Sequence, residues 1–319
     1  MSTHTLTNVP DFKVGHVTNL DAATGCTVVI CPPNTVGGVD VRGGAPGTRE
    51  TDLLNPHNHV SQVNAVVLSG GSAFGLATAD GVVRYLAEQS IGYKSGAGFI
   101  VPIVPAAILF DLHLGDSTIR PDAQMGYSAA QNASTDAVLQ GTVGAGTGAI
   151  CGAMRGTAFA TKGGLGSASI EIVDGLWVAA LVAVNSVGDV LDEQGQILAG
   201  LRDESGQFVG MLNALRALTN DQNASTTTGE NTVIGVVATN AHLTKAQVNK
   251  VAQMAHDGIA RAINPAHTMF DGDTIFALAS GKIPADPTLI GSFAAEAMTK
   301  AIRNGIRHAT TLYDARAIG

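Results

Sequence analysis

The chain has 319 residues, of which 45% are apolar, 14% charged and 4% aromatic, with 39 glycines and a formal net charge of −8. That balance excludes a disordered chain, which would be more charged and less apolar, and an acidic chain without a long Lys/Arg cluster is a poor match for nucleic acid or an anionic membrane. The length allows a sizeable core, in one large domain or two.

The first candidate strand is Asp11–Val17 and the second is Thr27–Ile30, closed by Pro32-Pro33-Asn34. Between Val39 and Glu50 the chain is rich in glycine and charge and has no period. It reads as a surface connection or the wall of a site, with Arg42 and Arg49 as candidate ion-pair partners. Val63–Leu68 is a buried strand that runs through Ser69-Gly70-Gly71-Ser72 into a helix, with Phe74, Ala77, Thr78, Gly81, Val82, Tyr85 and Leu86 on one face. The turn lacks the Gly-Lys-Ser/Thr ending of a phosphate loop, so it reads as close backbone packing.

Ala106–Phe110 is a further strand, and the stretch 122–139 has helical spacing. Gly144–Ala149 matches a loose dinucleotide fingerprint, but no strong strand precedes it and no amphipathic helix follows. Lys162-Gly163-Gly164-Leu165-Gly166-Ser167 leads into Ala168–Val173 and Leu176–Val184, two strands joined by the tight turn Asp174-Gly175. The second is apolar almost throughout, which predicts cover on both faces, and it ends at Asn185, whose amide can donate at the strand's mouth. Val187–Leu191 starts another hairpin, and Leu201–Leu218 has helical character.

Thr219–Glu230 is rich in Asn, Ser, Thr and Gly and reads as an exposed linker. At Thr232 the composition switches to a β-branched strand, Val233–Ala238. A capping box, Thr244 to Gln247, opens a helix that ends before Asn264-Pro265. A strand at Ile275–Ala279 and a last amphipathic helix through Phe293, Ala297, Ala301 and Ile302 complete the pattern. Long apolar strands and helices, several joined by hairpins, predict a layered α/β sandwich with mixed or antiparallel sheets.

Cys26, Cys31 and Cys151 lack metal-type spacing and read as buried reduced thiols. The nine histidines have no metal-binding arrangement; His57, His59 and His256 read as structural or surface groups. No cofactor or metal is expected. Nor is a signal peptide or a membrane span, since no apolar run reaches about 18 residues, and the cytoplasm is the default compartment.

Two places could carry chemistry. Thr232, between a polar linker and a core strand, is either an ordinary first strand residue or a nucleophile exposed by a cut after Asn231. In the second case its hydroxyl attacks the Asn231 carbonyl, water hydrolyses the ester, and the new α-amino group serves as base. Asp271-Gly272-Asp273 places two carboxylates at a sharp turn. They could cap that turn, orient an amine, share a proton or bind a metal.

Taken in order, several stretches resemble the DmpA-type aminopeptidases and the related nylon-oligomer hydrolase. They are Val39–Ala45, Leu68–Gly71, Gly144–Gly146, Lys162–Ala168, Gly229–Ile234, Val237–Asn240 and His267–Thr274. The resemblance spans about residues 12 to 305. It implies a single domain over 1–319 with a four-layer αββα sandwich of the N-terminal-nucleophile type, shared with ornithine acetyltransferases. It implies self-cleavage into 1–231 and 232–319, and hydrolysis of peptides, amino-acid amides or esters, or ω-amino-acid oligomers. It further implies Thr232 as nucleophile, Asn185 as oxyanion donor, Asp271 and Asp273 beside the Thr232 amino group, Lys162 as a nearby cation, and a homotetramer or larger assembly. Phe110 stands where the family often has Tyr, and Ala153 where many members have Lys. Those departures keep open a non-hydrolytic binding protein, and the shared fold keeps open an acyltransferase.

Overall fold

The computed structural model describes residues 4–218 and 231–318, so the predicted linker Thr219–Glu230 lies outside the described residues. Strands β1 (Lys13–Asn19), β2 (Thr24–Ile30), β3 (Val36–Val41), β4 (Thr48–Arg49), β5 (Ala65–Ser69) and β6 (Ala106–Ile108) come first. They are followed by β7 (Gly164–Val173), β8 (Leu176–Asn185), β9 (Thr232–His242) and β10 (Thr274–Pro284). These form two five-stranded sheets, ordered β1-β2-β5-β6-β4 and β7-β8-β9-β10-β3. Both are mixed: β5–β6 and β9–β10 run parallel and the other neighbours antiparallel.

The unbroken apolar runs have a simple cause. In β9, Val233 and Val237 pack into the core under the helices, while Ile234, Val236 and Ala238 pack into the core between the sheets. In β8, Val178, Ala180, Val182 and Val184 take the first side and Ala179, Leu181 and Ala183 the second. With both faces covered, alternation by direction no longer shows as alternation by polarity.

Helices α1 (Thr78–Glu88) and α2 (Ala123–Gln131) cover the outer face of the first sheet through Ala79, Val82, Leu86, Ala129 and Ala130. A short helix, α3 (Met211–Leu218), sits apart, its Met211 and Ala214 packed with Val187 and Leu201. Helices α4 (Lys245–Ala262) and α5 (Pro287–Arg307) cover the second sheet. Three apolar cores therefore separate four layers, helix–sheet–sheet–helix, which is the αββα sandwich.

Three elements differ from their sequence expectation. β3, an edge strand paired with β10, runs into the start of the stretch Val39–Glu50 expected to be aperiodic. Its Gly38 lies against the α4 backbone, where a Cβ would come within 2.7 Å of Asn249 N. Its place is set by that close approach and by β10, not by its own side chains. The helix expected over 122–139 stops at Gln131, because Ser134 exchanges backbone hydrogen bonds with Val14. The helix expected from Leu201 begins only at Met211, whose amide donates to the Asp189 carboxylate.

Candidate active site

Thr232 is the first residue of β9, and Val233 and Ile234 alternate between the two cores. The same alternation aims Thr232 into the space between the sheets. Asn185, the last residue of β8, lies directly across the ladder from Thr232 and also points between the sheets. Its Oδ1 accepts from Ile150 N at 2.9 Å and its Nδ2 donates to Phe110 O at 3.0 Å. Asn185 thus ties the second sheet to the chain just beyond β6 of the first. Thr232, Asn185, Asn231, Asp271 and Asp273 are all buried.

The peptide carbonyl before Thr232 is held from two sides. Thr232 Oγ1 donates to Asn231 O at 2.5 Å, and Gly272 N donates to the same oxygen at 3.0 Å. The Asn231 amide in turn donates to Phe270 O at 3.1 Å. Residue 272 must be glycine for this approach: a Cβ there would stand 2.9 Å from Thr232 Oγ1 and 2.6 Å from Ala45 O. The two aspartates beside it take different partners. Asp271 Oδ2 accepts from Thr268 N at 2.8 Å and Thr268 Oγ1 at 2.6 Å. Asp273 Oδ1 accepts from Val233 N at 2.9 Å, and its Oδ2 from His267 Nδ1 at 2.7 Å.

A second segment braces this loop from outside. Arg42 N and Ala45 N each donate at 2.9 Å, to Asp273 O and Asp271 O respectively. The stretch around Arg42 to Ala45, expected to be a surface connection or a site wall and part of the family resemblance, is therefore the backing of the Asp271–Asp273 turn. The Arg42 side chain pairs with Asp40 at 2.7 Å and that of Arg49 with Asp80 at 2.6 Å.

Electrostatics divide the two carboxylates. Burial, and then the neighbouring Asp273 charge, raise the Asp271 pKa to about 6. Lys162 is fully buried, and its Nζ donates to Gly146 O, Ala149 O and Gly163 O at 3.1, 2.7 and 3.0 Å. Burial lowers its pKa to about 7, partly offset by Cys151 and Asp111. None of these Lys162 bonds reaches Thr232. The lysine sits one link behind Asn185, paired across a short ladder with Ile150, whose amide holds the asparagine. Phe110 packs against His113 with the rings tilted at 48° and their centroids 4.6 Å apart, and Ala153 is part of a small apolar cluster with Ile150 and Leu114. Among the described residues, no group of three or more His, Cys, Asp or Glu could hold a metal ion, and no helix is long and apolar enough to cross a membrane.

Two members of this site escaped the sequence reading. Gly272 looked like a turn former, yet its amide is the part that touches Asn231 O. His267 was one of nine histidines without a metal spacing, and only the fold brings it onto Asp273. No period or spacing in the sequence signals either contact.

The model of peptidase family S58 matches residues 4–317. The chain belongs to peptidase family S58. An uncharacterized aminopeptidase of Mycobacterium leprae is 47% identical over 306 residues, covering 89% of this chain and 81% of that protein. A 6-aminohexanoate-oligomer endohydrolase of Kocuria is 28% identical over 307 residues, covering 92% of this chain and 83% of that one. Among solved structures, a Burkholderia β-aminopeptidase superposes with a TM-score of 0.72 at 22% identity, covering 99% of this chain and 90% of that one. The L-aminopeptidase D-Ala-esterase/amidase of Ochrobactrum anthropi, described as a variant of the Ntn hydrolase fold, gives 0.73 at 20%, covering 96% and 86%. This S58 chain therefore has the Ntn-hydrolase type of sandwich and is a hydrolase of amide bonds. Family membership sets aside the non-hydrolytic binding protein.

Proposed function

We propose that this S58 hydrolase cuts itself between Asn231 and Thr232, and that the freed Thr232 is an N-terminal nucleophile acting on amide bonds. The observation that carries the reading is the Asn231 carbonyl, which accepts both the Thr232 hydroxyl and the Gly272 amide. Attack of Oγ1 on the Asn231 carbonyl carbon turns that oxygen into an oxyanion, already facing a backbone donor. The carbon–nitrogen bond then breaks and the Thr232 nitrogen leaves as an amine, having taken up the hydroxyl proton. Water hydrolyses the remaining ester, giving the Asn231 carboxylate and a free Thr232 amino group.

In turnover the same hydroxyl attacks a substrate carbonyl, and the Thr232 amine is the base. An α-amino group with an ordinary pKa of about 7.7–8.0 keeps a useful neutral fraction near pH 7. Gly272 N serves as one oxyanion donor. Asn185 serves as the other: its amide carries two hydrogens and, among the described residues, Phe110 O takes one of them. Asp273, bonded to the Val233 amide, lies beside the Thr232 amino group, and Asp271 tunes the local charge. Lys162 contributes a cation behind Asn185.

The substrates proposed are N-terminal amino-acid amides, esters and short peptides, or ω-amino-acid oligomers of the kind named for the Kocuria relative. We place the enzyme in the cytoplasm as a homotetramer or larger, which light scattering would read. To test the reaction, amino-acid p-nitroanilides and a 6-aminohexanoate oligomer are incubated with wild type and Thr232→Ala. Wild type is expected to release amine from at least one class, and Thr232→Ala to lose about 10³-fold or more. A Thr232→Ala variant with wild-type rates would refute the assignment.

A further inference from the structure

We propose that His267 is a positioning residue of this site: its ring, buttressed by His256, holds the Asp273 carboxylate so that the freed Thr232 amino group can act as a base. The proposal rests on Thr232 being an N-terminal nucleophile.

Asp273 is 1% exposed and both its oxygens are engaged. Oδ1 takes the Val233 amide, while Oδ2 takes the His267 ring and, at 3.2 Å, the His267 backbone amide. Val233 is the residue after Thr232, so this carboxylate borders the place where cleavage frees the amino group. An unshared carboxylate there would favour the ammonium form, which cannot accept a proton. Donors on Asp273 draw its charge toward the histidine and away from the amine.

The hydrogen positions follow from the partners. A carboxylate accepts, so His267 Nδ1 carries hydrogen. His256 Nε2 lies 2.9 Å from the Asp40 carbonyl, which also only accepts, so that nitrogen is the protonated one. Burial lowers the His256 pKa to about 4, so the ring is neutral near pH 7. It meets the His267 ring edge to face, with centroids 4.8 Å apart. The neutral ring thus walls in His267 without competing for Asp273.

The backbone supplies an independent sign. His267 has φ +57°, in the left-handed region that Gly and Asn occupy most easily. An imidazole held at a disfavoured backbone position, with ring and amide both on one carboxylate, points to a role for the side chain. Among the described residues, the charged and titratable groups around it are few. Asp271 and Asp273 come from its own loop, His256 from α4, and Asp40 and Arg42 from β3 and its end. Asp189, across a short ladder from Asn264, is turned to the Met211 and Leu201 amides. The facing residue of β8 is the neutral Asn185.

The test uses His267→Gly and His267→Asn beside Thr232→Ala. Glycine accepts the left-handed backbone, so the ring is removed with little strain. Asparagine also tolerates that backbone and restores an amide donor. For His267→Gly, kcat is expected to fall about 10²-fold with KM within about twofold. The acid limb of kcat/KM should move up by about 1 pH unit, since the less satisfied Asp273 holds the Thr232 ammonium more tightly. His267→Asn, or free imidazole added to His267→Gly, should recover much of the rate. Where self-cleavage also slows, the precursor half-life with and without imidazole gives the same comparison. An unchanged kcat and acid limb in His267→Gly, or no recovery by either donor, would overturn the proposal. Thr232→Ala separates the two ideas: if it still hydrolyses, the nucleophile assignment fails, and if it is inert while His267→Gly equals wild type, only the role of His267 fails.

Discussion

Asp271 and Asp273 stand two residues apart, and their surroundings rank them. Asp273 has a histidine and two backbone amides, while Asp271 has the Thr268 hydroxyl and amide and a long 3.4 Å contact from Val187 N. Burial raises the Asp271 pKa from 3.8 to about 6, so folding favours its protonated form. The sign follows by linkage: the stability this group contributes is fully present below about pH 4 and is lost as pH rises through about 6. Asp271→Asn keeps an acceptor for Thr268 and cannot ionise. It is expected to exceed wild type in stability near pH 8, by up to about 3 kcal/mol, with the gap closing below about pH 4. Urea unfolding at both pH values checks this; a variant less stable than wild type at high pH would contradict it. Hydrolysis by the same variant should be slower, because Asp271 belongs to the proposed site.

At the scale of elements, glycine sets how closely strands and helices meet. A Cβ on Gly166 of β7 would stand 1.9 Å from Ala301 O and 2.4 Å from Gly305 N on α5. Gly166→Ala must therefore push α5 off the sheet. A loss of about 3 kcal/mol is expected, read as a lower denaturation midpoint, while a neutral result would mean that α5 is free to shift. This explains what was legible in the sequence. Strands β8 and β9 carried their own apolar signal. Helix α4 carried its capping box, in which Gln247 Oε1 accepts from Thr244 N at 2.8 Å. Strand β3 carried none, since its two adjacent glycines have no side chains to pattern and acquire meaning only against Val63 and α4. The same limit hid the contacts of His267 and Gly272, which depend on a left-handed backbone angle and a backbone amide. The ordered resemblance singled out Thr232, Asn185, Asp271 and Asp273 together, and the structure gathers them at one mouth of the sandwich.

At the scale of the whole molecule, a cut after Asn231 would not release a separable piece. Strands β9 and β10 belong to 232–319, and they lie between β8 and β3, both from 1–231. Helices α4 and α5 of the shorter fragment share their core with β8. The two fragments are therefore expected to elute together under native conditions and to part only in denaturant; separation without denaturant would contradict this topology. The central claim is the cleavage itself, and intact-mass spectrometry of the purified protein under denaturing conditions tests it most directly. Wild type is expected to give two species, ending at Asn231 and beginning at Thr232, and Thr232→Ala one full-length species. A wild-type chain that stays whole on prolonged incubation, or a cut at any other bond, would contradict Thr232 as the self-generated nucleophile.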